Sequence, residues 1–171
     1  MRWVTAPDLA DKYAFGFCAK SGTSSLNVAL APYGGFLRCV PTDQFERRVF
    51  VVRQPIERWA SCWKNKCRDG GKLAGHEVNG MTTDEFLNYT MMEDNIHWLP
   101  QSTQLKESGV IPTEIIRLES MNGWWRGEFG TYFPCVNASA PGLYVALPSD
   151  TLAILKLYYR DDLRLWENAD E

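Results

Sequence analysis

Two short stretches of the chain carry residues able to grip phosphate. In the first, Lys20-Ser21-Gly22-Thr23-Ser24-Ser25, one cation and four hydroxyls crowd around a single glycine. The second is Arg53, followed by Gln54-Pro55 and, eight residues after the arginine, by Ser61. A turn that opens a helix attracts anions, because its unpaired N–H groups and the helix dipole act together. Lys20 adds a full charge at the entrance of such a turn. Arg53 and Ser61 supply a fixed cation and a hydroxyl for a second anion. Alone, each stretch also has a plain reading, an ordinary helix start for the first and surface charge for the second. The lysine precedes the glycine, whereas the loop that holds a magnesium triphosphate ends in Gly-Lys-Ser/Thr.

The elements around these stretches place them together. Residues 14–19 read as a short buried strand. Residues 23–31 read as a helix, with Leu26, Leu30 and Tyr33 on one face and "PYGG" as its stop. Residues 36–40 are a second strand. The β-branched run 47–52 is the strongest strand, with a pattern suited to burial on both faces. Pro55 opens a helix over 55–68. Ile56, Trp59, Ala60, Trp63 and Cys67 form its core face, and Arg58, Ser61 and Asn65 lie opposite. The glycine-rich stretch 69–81 is either a plain connection or a lid. Thr82-x-x-Glu85 is a capping box that opens a helix of about ten residues. Residues 113–119 form a further strand, 120–130 a short amphipathic piece, and Ser149 caps a final helix from Asp150 to Asn168. Strands interleaved with helices predict one α/β domain over 1–171, a short parallel sheet with helices on both faces. Ligands of such sheets bind at the carboxyl ends of the strands, where both stretches fall.

Composition narrows the class. A net charge of −3 argues against a general nucleic-acid partner. No apolar run reaches the roughly 18 residues of a membrane span. The five cysteines form no CxxC pair, so reduced thiols and no metal site are expected. The N-terminus is charged and lacks a signal-peptide core, so a cytoplasmic location is expected. Seven Trp and seven Tyr serve either core packing or flat surfaces for a sugar or base. The oligomeric state is not legible.

"AKSGTSSL" (19–26) followed by "VFVVRQPIERWASCWKNK" (49–66) resembles the sulfotransferases that use 3'-phosphoadenosine 5'-phosphosulfate (PAPS). The first is similar to their 5'-phosphosulfate loop, PKxGTTSL, and the second to their 3'-phosphate element, RDPxxRxxSxxxNK. "HWLPQ" (97–101) resembles the HWxPQ motif of Golgi carbohydrate sulfotransferases, and "LYYRDDLRLW" (157–166) their terminal YxxDxxLF helix. The order is preserved from residue 15 to 166. The resemblance implies a P-loop-like three-layer sandwich and transfer of a sulfuryl group from PAPS to an acceptor hydroxyl, with a carbohydrate favoured. It implies that Lys20 contacts the 5'-phosphosulfate. The backbone from Ser21 through Gly22 to Ser25, with the hydroxyls of Thr23, Ser24 and Ser25, would hold the same group. Arg53 and Ser61 would hold the 3'-phosphate, with Arg58 either assisting or structural. No metal is implied.

This sequence departs from the family pattern at Ala19, where the family has proline, and at Gln54, where it has an acid. The first departure is expected to loosen the loop. The base that accepts the acceptor's proton is open between His97, His76 and Glu46, with His97 preferred for catalysis beside Lys20. The interval between the two phosphate elements offers Asp43 and Glu46 but no histidine. Trp98, Trp124 and Trp125 could stack on sugar rings. The lack of an anchor suggests a bacterial or viral relative of the Golgi enzymes. Two other readings remain, an inactive module that binds PAPS or its desulfated product, and a P-loop kinase.

Overall fold

A computed structural model describes residues 1–39, 44–70, 77–136 and 147–169. They form an α/β fold on one five-stranded mixed sheet. The strands are β1 (Arg2–Thr5), β2 (Tyr13–Phe17), β3 (Leu37–Arg38), β4 (Arg47–Val52) and β5 (Glu114–Arg117), in the order β3-β1-β2-β4-β5. β4 runs parallel to β2 and to β5. β1 is antiparallel to both β2 and β3. The sheet expected to be parallel is therefore parallel only over β2, β4 and β5, from the middle of the sheet to one edge. The sequence reading missed β1, a four-residue strand closed by Pro7 and defined by what it pairs with. Gly16 makes that pairing possible, because a Cβ there would stand 2.9 Å from the Trp3 ring.

Alternation along the strands builds two cores. Phe15 and Phe17 of β2, Val49 and Val51 of β4 and Ile116 of β5 face one side. There they pack on α1 (Thr23–Leu30) and α5 (Met121–Phe129). Ala14 and Cys18, Phe50 and Val52, and Trp3 face the other side, against Leu105 of α4 (Gln101–Ser108) and Leu165 and Trp166 of α7 (Arg160–Glu167). A third cluster joins α2 (Pro55–Trp63), α3 (Thr83–Met92) and α6 (Ser149–Tyr158) around Trp59, Phe86, Trp98 and Tyr159.

The local signals are observed where backbone chemistry is self-sufficient. The capping box forms, with Thr82 Oγ1 accepting from Glu85 N and the Glu85 carboxylate accepting from Thr82 N. The helix from Pro55 widens into a π turn over Lys64–Arg68, with Asp69 N donating to Lys64 O. The single final helix is instead two, α6 and α7, broken at Tyr159, whose buried hydroxyl donates to Trp98 O. Ser149 is not its cap; Pro148 holds that position and the Ser149 hydroxyl turns to Asp150. No helix of the described residues is long and apolar enough to cross a membrane. No disulfide joins the five cysteines.

Candidate functional site

β2 leaves the sheet at Phe17 and turns tightly, with Ser21 N donating to Cys18 O at 3.2 Å. Lys20 (φ 69°) and Gly22 (φ 86°) take left-handed backbone conformations. For lysine this costs of order 1 kcal/mol, so the neighbourhood must hold it. Arg53 Nη1 donates to Lys20 O (3.1 Å) and Arg58 Nε to Ala19 O (2.9 Å). The fully buried Arg58 thus holds the carbonyl of Ala19, the residue that stands where the family pattern has proline. Gly22 is favoured by its φ of 86°, and a Cβ there would also force Leu118 Cδ1, 2.6 Å away, to move. The first bond within α1 runs from Leu26 N to Gly22 O, so the N–H groups of Thr23, Ser24 and Ser25 have no helical partner. Gly22, as the cap, has no side chain to satisfy them.

β4 delivers the second stretch beside the first. Gln54 caps α2, its Oε1 accepting from Glu57 N at 2.8 Å, with Pro55 in the first turn. The residue that departs from the family's acid thus has a structural use. Arg53 stands at the strand end and Ser61 two turns along α2. Of the polar face expected on α2, Ser61 and Asn65 reach the cleft, whereas Arg58 is drawn inward to the carbonyls of Ala19, Ile96 and Leu99.

Between the two strand ends lies a cleft of about 820 Å³. Its floor is Lys20, Gly22, Thr23, Ser24 and Ser25 on one side and Arg53, Ser61 and Lys64 on the other. Glu57, Asp69 and Glu119 bring carboxylates to its walls, and Leu118 and Phe133 an apolar patch. Lys20 Nζ donates to Asn65 Oδ1 at 2.8 Å. Burial lowers the Lys20 ammonium from its ordinary value, and the nearby Lys66 and Arg53 lower it further, against a raising influence from Cys62. Burial likewise lowers Arg53, with Glu57 and Glu119 opposing. Cations held at such a cost are the groups an entering anion would relieve. Among the described residues, no cluster of three or more His, Cys, Asp or Glu is placed to hold a metal ion.

Of the expected site residues, Lys20, Gly22, Thr23, Ser24, Ser25, Arg53 and Ser61 line this one cleft. Ser21 does not; its hydroxyl is buried and donates to Gln101 Oε1 at 2.9 Å. The Ser25 hydroxyl accepts from Val136 N at 3.0 Å, so of its polar groups only the backbone N–H is left without a helical partner. His97 does not line the cleft either. Its Nδ1 meets Asn95 Oδ1 at 2.7 Å, which makes Nδ1 the protonated nitrogen. Burial first, then Lys66, Lys20 and Arg58, lower the imidazole to about 4, so it is neutral at pH 7 but a weak base. Glu46 is exposed just before β4, at the opposite end of that strand from Arg53. His76 and Asp43, and residues 71–76 of the stretch read as a lid, lie outside the described residues.

Trp98 and Trp125 are buried in the core, and Trp124 is held over Arg47 and Tyr13 beyond the cleft. None of the three is available there as a sugar platform. The sequence reading gave no role to Gln101, Asp162, Asn65 or Glu119. The first three fell inside recognised motifs, and Asn65 also on the polar face of the 55–68 helix; nothing in the sequence pointed to Glu119. Searches against known protein families, curated proteins and solved structures find no match for this chain.

Proposed function

We propose that the chain is a PAPS-dependent sulfotransferase on a P-loop-like three-layer sandwich. The observation that carries this reading is that two anion-binding strand ends, Lys20 with the first turn of α1 and Arg53 with Ser61, open into one cleft. A nucleotide with a phosphosulfate at 5' and a phosphate at 3' needs two such sites within one molecule's reach. The donor set fits it, with orphan N–H groups of Thr23, Ser24 and Ser25, the Lys20 ammonium, the Arg53 guanidinium and the Ser61 hydroxyl. Lys20 and the α1 dipole stabilise charge gathering on the departing 5'-phosphate oxygen. The S–O bond to that oxygen breaks as the acceptor oxygen forms the new S–O bond, and the acceptor's proton passes to water. This chain orients the two phosphates so that the transfer is in line. The acceptor proposed is a carbohydrate hydroxyl.

The test is a thermal-shift titration with adenosine 3',5'-bisphosphate on wild type and Arg53→Ala. Wild type gains stability with nucleotide and Arg53→Ala gains roughly ten- to a hundredfold less affinity, as expected for a lost charged hydrogen bond. An unshifted wild type at millimolar nucleotide rules the reading out. The position of His97 outside the cleft favours one second reading, a module that binds the nucleotide without transferring sulfate. Labelled donor with a panel of glycans separates the two: transfer of label supports the enzyme, and binding without transfer supports the module.

A further inference from the structure

The fully buried Gln101, in the HWLPQ stretch, touches both anion-binding loops. Its Oε1 accepts from Ser21 Oγ (2.9 Å) and from Arg53 N (3.0 Å), and its Nε2 donates to Arg53 O (2.8 Å). The amide thus pairs with Arg53 as a neighbouring strand would. The need arises where the ladder stops: the last β2–β4 pair is Phe17 with Val51, and beyond it the two loops have no backbone register to share. A side-chain amide takes over that role.

Gln101 is itself fixed from the opposite side. It opens α4 behind Pro100, which has no side chain able to cap the helix. Asp162 of α7, 1% exposed, supplies the cap instead. Its Oδ2 accepts from Gln101 N (2.7 Å), and its Oδ1 accepts from Ser102 N (2.8 Å) and Ser102 Oγ (2.6 Å). A carboxylate with three donors at a helix N-terminus is a strong anchor. Asp162 lies in the terminal stretch YYRDDLRLW, so the two motifs without a ligand contact meet each other and end on the phosphate loops.

We propose that Gln101 is a positioning residue, anchored by Asp162, that sets the spacing between the Lys20 loop and the Arg53 loop so that both phosphates of one nucleotide bind together. The inference rests on the two-phosphate reading of the cleft. Two linked anions gain affinity from each other only when their sites are held at the matching separation. Loosening that separation weakens a bisphosphate far more than a monophosphate.

The experiment measures dissociation constants by calorimetry for adenosine 3',5'-bisphosphate and adenosine 5'-monophosphate on wild type, Gln101→Met and Ser21→Ala, with circular dichroism to verify folding. Wild type prefers the bisphosphate. In Gln101→Met that preference falls by about tenfold or more while monophosphate affinity stays within about twofold. If the methionine variant does not fold, Ser21→Ala decides by the same pattern at smaller size, since it removes only the β2-side bond. A folded variant with an unchanged preference, or an equal loss for both nucleotides, overturns the inference alone. A wild type without any preference for the bisphosphate removes the two-phosphate reading, and this inference with it.

Discussion

The two ends of β4 carry an arginine each, and the two arginines are in opposite situations. Arg47, at the amino end, bonds Glu114 at 2.5 Å and pairs with Glu128 as well. It also lies over the Tyr13 and Trp124 rings. The hydrogen bonds to Glu114 raise it above its ordinary value, and those of Arg47 and Tyr13 lower Glu128. Arg53, six residues on, meets no carboxylate at ion-pair distance among the described residues and donates instead to the Lys20 carbonyl. Burial lowers it, as it lowers Lys20. At one end of the sheet charge is internally settled; at the other, cations and orphan N–H groups converge on a cleft. The first arrangement stabilises the chain, and the second keeps Lys20 and Arg53 charged at a desolvation cost.

The sharpest break of this contrast is a pair of substitutions. Lys20→Met abolishes the thermal shift with adenosine 3',5'-bisphosphate and lowers sulfate transfer roughly a hundredfold or more. Its unfolding free energy in urea stays level or rises, because a disfavoured charge is gone. Arg47→Met does the reverse, costing about 2 kcal/mol by leaving two carboxylates without their partner while the nucleotide shift stays as in wild type. If Arg47→Met weakens nucleotide binding as much as Lys20→Met, the two ends are not functionally distinct.

A smaller effect reports the burial of His97, with nearby Lys66, Lys20 and Arg58 adding to it. The folded His97 imidazole lies at about 4, below its ordinary 6.5. Between these values the unfolded chain binds more protons than the folded one. Stability is therefore full above pH 6.5 and falls as pH drops from there towards 4. Urea midpoints of His97→Gln against wild type across this range test it: the variant's pH slope is shallower, and equal slopes would refute the assignment. The smallest effect belongs to a site at neither end. Thr82→Ala loses its capping box and about 1 kcal/mol, with no change in nucleotide affinity by calorimetry.

The sequence reading was closest where structure is local. "RRVFVV" is the strand, Thr82 and Glu85 make their box, and Pro55 starts its helix, because propensity and capping act within a few residues. The strand–turn–helix geometry of 20–25 was legible for the same reason: the N–H groups of Thr23, Ser24 and Ser25 are left without a helical partner by the helix start itself. The hydroxyls of Ser21 and Ser25 were not assignable. Their partners, Gln101 and Val136, are 80 and 111 residues away.

By itself, then, the sequence determined the strand–turn–helix units and which residue types stand at their ends. Only the tertiary structure decided the mixed sheet, since β1 exists through its pairing with β2 and the room Gly16 gives Trp3. Only the tertiary structure made Arg58 a buried clamp and Gln101 a bridge, and kept His97 out of the cleft. Each of these depends on which distant groups share a desolvated space, and there an unpaired polar atom costs more than any local preference supplies.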